Sequence, residues 1–160
     1  MGKRGTIGAG MAAGALWAVA LVWGVQSAGY AYLPPQLTLP GALAMPGLVL
    51  AAIIGRIAQR RFSDDALIDG GGAAPGSPAW IDGRVLVNTV EQALLAALIW
   101  PFVAMTLGGV LALYLGGGFV VARLAFWVGY HVAPPLRAFG FAATFYPTVL
   151  AGLWALAVWL

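Results

Sequence analysis

Residues 84–107 read RVLVNTVEQALLAALIWPFVAMTL, and after Arg84 that stretch holds a single formal charge, Glu91, in an otherwise apolar run. At about 1.5 Å of rise per residue, such a run crosses a hydrocarbon core of about 30 Å as one α-helix. Val85–Leu107 has four companions of the same kind: Ile7–Ala28, Gly41–Ile57, Val110–Tyr130 and Arg137–Leu160. Gly41–Ile57 is the short one and contains Pro46, so this span is expected to begin earlier, to tilt or to kink. The whole chain agrees with the reading. Of its 160 residues 62% are hydrophobic and 8% charged, where a soluble domain carries about a quarter charged. A transmembrane β-barrel would show alternating segments of about ten residues, which are missing here. The sequence specifies an all-α integral membrane protein with five spans.

The connections follow from the same lengths. A turn at Gly116-Gly117-Gly118 would leave the fourth segment too short to cross. The turn is therefore placed at Gly108-Gly109, and the triple glycine falls inside a helix, where small residues allow close helix contact. The first segment has a basic start, Lys3 and Arg4, but its apolar run exceeds the roughly 7–15 residues of a signal-peptide core, so it is read as an anchor. Short-loop cations set the orientation. With a cytoplasmic N-terminus, the inside collects Lys3, Arg4, Arg56, Arg60, Arg61, Arg84 and Arg137, while the outside loops about 30–40 and 108–109 collect none. The C-terminus is then outside. The one sizeable hydrophilic piece is the cytoplasmic loop about Arg60–Gly83, rich in Gly, Pro and Asp. No internal repeat supports an inverted-repeat transporter.

Composition removes much chemistry. Without Cys there is no disulfide, thiolate nucleophile or Cys-ligated metal in the chain. One His (His131) and five acids argue against a protein-built metal site. A Ser–His–Asp triad would need loop Ser63 or Ser77 to meet His131. Neither glycine triplet is followed by the Lys of a phosphate loop. The basic residues are scattered at helix ends, which does not point to nucleic acid.

What remains is polar residues inside the spans, which are costly in lipid and usually functional. Glu91 on the third segment and Arg123 on the fourth fall at nearly equal depth, and an ion pair between them is expected. Arg84, Asn88 and Glu91 stand at i, i+4 and i+7, one helical stripe. Arg123, Phe126, Trp127 and Tyr130 form a facing one. With Arg137 opening the fifth segment on the same side, the cluster has three Arg against one Glu, a balance suited to an anionic ligand. Structural readings stand beside this one. Glu91–Arg123 can staple two helices with Asn88 adding a hydrogen bond, and Arg84 and Arg137 can be positive-inside anchors. Trp127 and Tyr130 can belong to an aromatic belt, and His131 reads as an interfacial residue. Tyr146-Pro147 marks an expected kink.

The stretch RVLVNTVEQALL, with Arg84-x3-Asn88-x2-Glu91, resembles the signature of the MAPEG family, membrane-associated proteins in eicosanoid and glutathione metabolism. ARLAFWVGYHVAPPLRAFGFAATFYPTV (122–149) resembles the family's third and fourth helices, with Arg123, Gly129-Tyr130 and Arg137 in register. The resemblance implies a MAPEG-like four-helix transmembrane bundle over 41–160, preceded at 1–40 by one additional N-terminal transmembrane helix and its outside loop, as in a bacterial-type branch of the inner membrane. It further implies a homotrimer with sites between subunits. Residues matching Arg84, Asn88, Glu91, Arg123 and Tyr130 would hold glutathione, Arg137 would be the catalytic residue that activates its thiol, and no metal would be needed. The second substrate would be a lipophilic electrophile or lipid hydroperoxide from the bilayer. Gln92, Phe126 and Val132 depart from the pattern, removing two hydroxyls and one charge. The expected function is a transferase or peroxidase using glutathione or a related thiol. The alternative is a non-catalytic scaffold or accessory subunit of a larger membrane complex with a vestigial site. A transporter is weaker, because no polar stripe runs from face to face.

Overall fold

A computed structural model of the chain describes residues 2–160. The side chain of Lys3, counted above among the inside cations, lies outside the described residues. Six helices follow in order: α1 (Lys3–Ser27), α2 (Pro35–Phe62), α3 (Asp65–Ile68), α4 (Pro78–Leu107), α5 (Gly109–Val132) and α6 (Pro134–Trp159). No strand occurs among the described residues. All but the single-turn α3 are long and apolar enough to cross a membrane. Three of them open on proline at the first turn, where the missing N–H costs nothing and φ is already helical.

The short second segment is the extension anticipated by its length. Helix α2 starts at Pro35 and continues past Pro40 and Pro46 to Phe62, so residue 40 lies inside a helix. At the other end, Ser77 Oγ accepts the N–H of Trp80 at 3.2 Å, a side-chain cap that starts α4 seven residues before Val85. The hydrophilic connection consequently shrinks from about 60–83 to residues 63–77, with α3 inside it.

The bundle is apolar both inside and out. Helix α5 is the most buried span and touches α1, α2, α4 and α6. Leu16, Leu48, Leu98 and Leu153 on the outside are each more than 60% exposed. Such a surface is untenable in water as a continuous patch, but it is the natural complement of lipid.

Lipid gives apolar helices no reason to associate, so close backbone contact between small residues must hold them. The triple glycine serves that purpose. A Cβ on Gly116 would meet the Ala42 carbonyl and Met45 sulfur of α2, each at 2.9 Å, and one on Gly118 would meet Leu21 and Trp17 of α1. Gly129 and Gly140 let α5 and α6 touch, because a Cβ on either would run into the other helix's backbone. Gly10 and Gly14 seat α1 against α6 between Pro135 and Ala143 in the same way. The turn from α4 to α5 falls at Gly108 as expected, with φ of 100° that an L-residue rarely adopts.

Candidate functional site

A cavity of about 450 Å³ opens at the arginine-bearing end of the bundle, between α4, α5, α6 and the first turns of α1. Helix α4 contributes Arg84, Asn88 and Glu91 from its i, i+4, i+7 stripe, α5 contributes Phe126 and Tyr130, and α6 contributes Arg137. Five of the six residues singled out from the sequence therefore share one cavity. Arg137 sits in the first turn of α6, which the Gly129 contact presses onto α5, and its guanidinium stacks over the Tyr130 ring at 4.9 Å. Arg84 stacks over Trp80 at 5.6 Å. Both guanidinium planes are thus braced by aromatic faces, while Ile7 and Met11 of α1 supply an apolar wall.

The sixth residue lies one layer deeper. Arg123 is 1% exposed. Its Nη1 donates to Asn88 Oδ1 at 2.9 Å and to the Asn88 carbonyl at 3.4 Å, and its guanidinium lies 4.0 Å over the Phe126 ring. Its Nε and Nη2 have no hydrogen-bond partner. The expected Glu91–Arg123 ion pair is not formed; the salt bridges among the described residues are those of Asp82. Asn88 stands between the two charges, donating from Nδ2 to Glu91 at 3.0 Å while its Oδ1 serves Arg123. An amide can do this because it carries donor and acceptor on one group. Glu91 is exposed, at the mouth of the cavity, so the carboxylate and the buried guanidinium meet only through Asn88.

The four-residue stripe expected on α5 also divides. Arg123, Phe126 and Tyr130 follow i, i+3, i+7 toward α4 and α6, whereas Trp127 turns to the α2 side. Its Nε1 donates to Asp82 Oδ1 at 2.8 Å. Gln92, next to Glu91, is buried on the inner face of α4 with Val85, Thr89 and Ala96 and does not line the cavity.

Asp82 is the residue that sequence reasoning missed. It is 0% exposed and its carboxylate accepts from Arg60 Nε of α2, from Trp127 Nε1 and from the His131 ring at 2.8 Å. His131 is accordingly tied to an acid, beyond the interfacial role expected of it. The signal was present in Ser77-Pro78, a cap followed by proline at the first helical position. Starting the helix there puts Asp82 on the same face as Val85 and Thr89, the inner stripe. Toward the opposite end lies an apolar cavity between α1 and α5, lined by Trp17, Leu21, Val121 and the stacked Tyr30–Tyr114 pair.

Comparison with known proteins gives no match: no family model, no curated protein and no solved structure is similar to the chain.

Proposed function

We propose that the protein is a MAPEG-like membrane transferase or peroxidase, with glutathione or a related anionic thiol held in the Arg84–Asn88–Glu91–Tyr130–Arg137 cavity. The observation that supports this reading is the gathering of two braced arginines, a carboxylate, an amide and a phenol, from three helices, in one cavity. Its volume falls in the range of about 300–1,000 Å³ common to small-molecule sites. The donor set suits a tripeptide with carboxylates and one ammonium: Arg84 complements a carboxylate and Glu91 the ammonium, which leaves Arg137 for the sulfur. Arg123 offers two buried nitrogens without partners, Nε and Nη2, one layer behind Asn88.

When bound, glutathione supplies the thiol that this chain, having no Cys, cannot. Arg137 holds positive charge where the sulfur must ionise. A thiol with pKa near 8.5 is favoured as thiolate beside a guanidinium, and each unit of lowering corresponds to about 1.4 kcal/mol. Tyr130 keeps that guanidinium in place through its ring face. Ile7 and Met11 leave an apolar side for a lipophilic electrophile or hydroperoxide. In this reading the arginine-bearing end is cytoplasmic, the membrane is the bacterial inner membrane and the protein is a homotrimer.

Equilibrium binding of reduced glutathione to the protein in mild detergent tests the proposal. Saturable binding at millimolar or tighter affinity, lost in Arg137→Ala and Arg84→Ala, is the expected result. An intact, stable oligomer that binds none would overturn it. A non-catalytic scaffold or accessory subunit is the second reading, favoured by the position of Arg123 behind Asn88, where it ties α4 to α5. It requires that Asn88→Ala lower thermal stability while no thiol ligand raises it.

A further inference from the structure

Asp82 organises a second site, on the α2 side of α5 and away from the cavity lined by α6. A groove of about 330 Å³ runs there between α2 and α5, lined by Arg56, Arg60, His131, Trp127 and the apolar Val128 and Val132. We propose that this groove binds the phosphate headgroup of an anionic phospholipid, with an acyl chain lying along α5.

Three features carry this inference. The first is charge. The groove's single acid, Asp82, is fully buried and already accepts from Arg60, Trp127 and His131. The formal charges left accessible in the groove are therefore those of Arg56 and Arg60. Asp64, an acid of the adjoining loop, lines a neighbouring hollow that Arg60 also borders, and its carboxylate accepts from the Ala66 N–H.

The second is fixed geometry. A positive-inside arginine ordinarily swings free in water. Arg60 cannot, because Asp82 holds its Nε, and its terminal nitrogens make no hydrogen bond among the described residues. Arg56 stands one helical turn away on the same helix, and His131 is anchored opposite by the same carboxylate. A phosphate monoanion or diester offers the oxygens that such a set of donors needs.

The third is the apolar track leading away from the cations. Val121, Leu124, Val128 and Val132 are spaced along one face of α5 and are 53%, 49%, 53% and 71% exposed. An acyl chain covers such a row, whereas a soluble anion would leave it bare. A lipid joins the two halves of the site.

Native mass spectrometry of the full-length protein, equilibrated with equal amounts of phosphatidylglycerol and phosphatidylcholine in detergent, tests the assignment. Phosphatidylglycerol should be retained preferentially, and Arg56→Gln with His131→Gln should lower that preference by about fivefold or more. Gln at 131 keeps a donor for Asp82, and an unchanged melting temperature in lipid-free detergent verifies the fold. If the double variant melts early, Arg56→Gln alone is read. Arg84→Gln, in the other cavity, should leave the preference intact, which separates this site from the glutathione reading. Equal retention of both lipids, or a preference unmoved by the substitutions, overturns the proposal. Complete displacement of the lipid by millimolar inorganic phosphate overturns it too, since the occupant would then be a soluble anion.

Discussion

Arg123 is bonded to Asn88 and not to Glu91: its Nη1 donates to the Asn88 side-chain oxygen at 2.9 Å, from a position 1% exposed. The bond crosses from α5 to α4 at the depth where two opposite charges lie in the sequence. A direct pair would have brought both charges into the low-dielectric interior, where desolvation offsets much of the attraction. With an amide between them, the carboxylate keeps its exposed position and the guanidinium retains one good acceptor and an aromatic face.

Asn88→Leu removes that acceptor and leaves a buried guanidinium with only a backbone carbonyl at 3.4 Å. We expect a loss of about 2–4 kcal/mol, since breaking one side of a buried polar pair costs more than the pair contributes. Adding Arg123→Met should recover part of the loss. Detergent unfolding of the two single variants and the double checks this; strict additivity would show that the two side chains do not communicate.

Asp82→Ala takes the shared acceptor, itself without exposure, from Arg60, Trp127 and His131 at once. A loss of about 3–5 kcal/mol is expected, and Asp82→Asn, which still accepts on one atom, should lose distinctly less. Thermal melts of the two variants measure it. Equal melts would mean that the three donors find other partners.

Helix α1 depends on two glycines for its seat. Gly14→Leu would drive a side chain into Ala142 and Ala143 of α6 and should destabilise by about 1–3 kcal/mol, seen as proteolytic release of the N-terminal helix. Gly24→Ala, where the added methyl meets nothing within 4 Å, should be neutral or stabilising by up to about 1 kcal/mol. Similar behaviour of the two variants would refute the close α1–α6 contact as the reason.

Phe126→Tyr adds a hydroxyl at the cavity wall beside Tyr130, whose ring lies 5.3 Å away. If the cavity takes glutathione, one further hydrogen bond worth about 0.5–1.5 kcal/mol should tighten binding by about two- to tenfold. Titration by calorimetry reads the change, and weaker binding would place the ligand elsewhere in the cavity.

The sequence by itself determined the features that depend on run length and local periodicity. Five spans, the Gly108–Gly109 turn and the Arg84–Asn88–Glu91 stripe are of this kind, because rise per residue and the 3.6-residue repeat are properties of one helix. The same periodicity put Arg123 at the level of Asn88 and Glu91. Helix ends were legible wherever a cap marked them, and Ser77-Pro78 was such a mark, overlooked in favour of the more apolar start at Val85.

Tertiary structure alone decided which atoms meet. A stripe defines a face about 100° wide, so Trp127 and Tyr130 read together on α5 yet serve different cavities. The rotation of α5 that separates them is set by glycines facing other helices: Gly116 on α2, Gly118 on α1 and Gly129 on α6. Those contacts join residues far apart in the chain. They place Arg60, Trp127 and His131 on the one carboxylate of Asp82 and put Asn88 between Glu91 and Arg123. No local repeat carries that information, because backbone approach and helix rotation are fixed by the packing of all five long helices together.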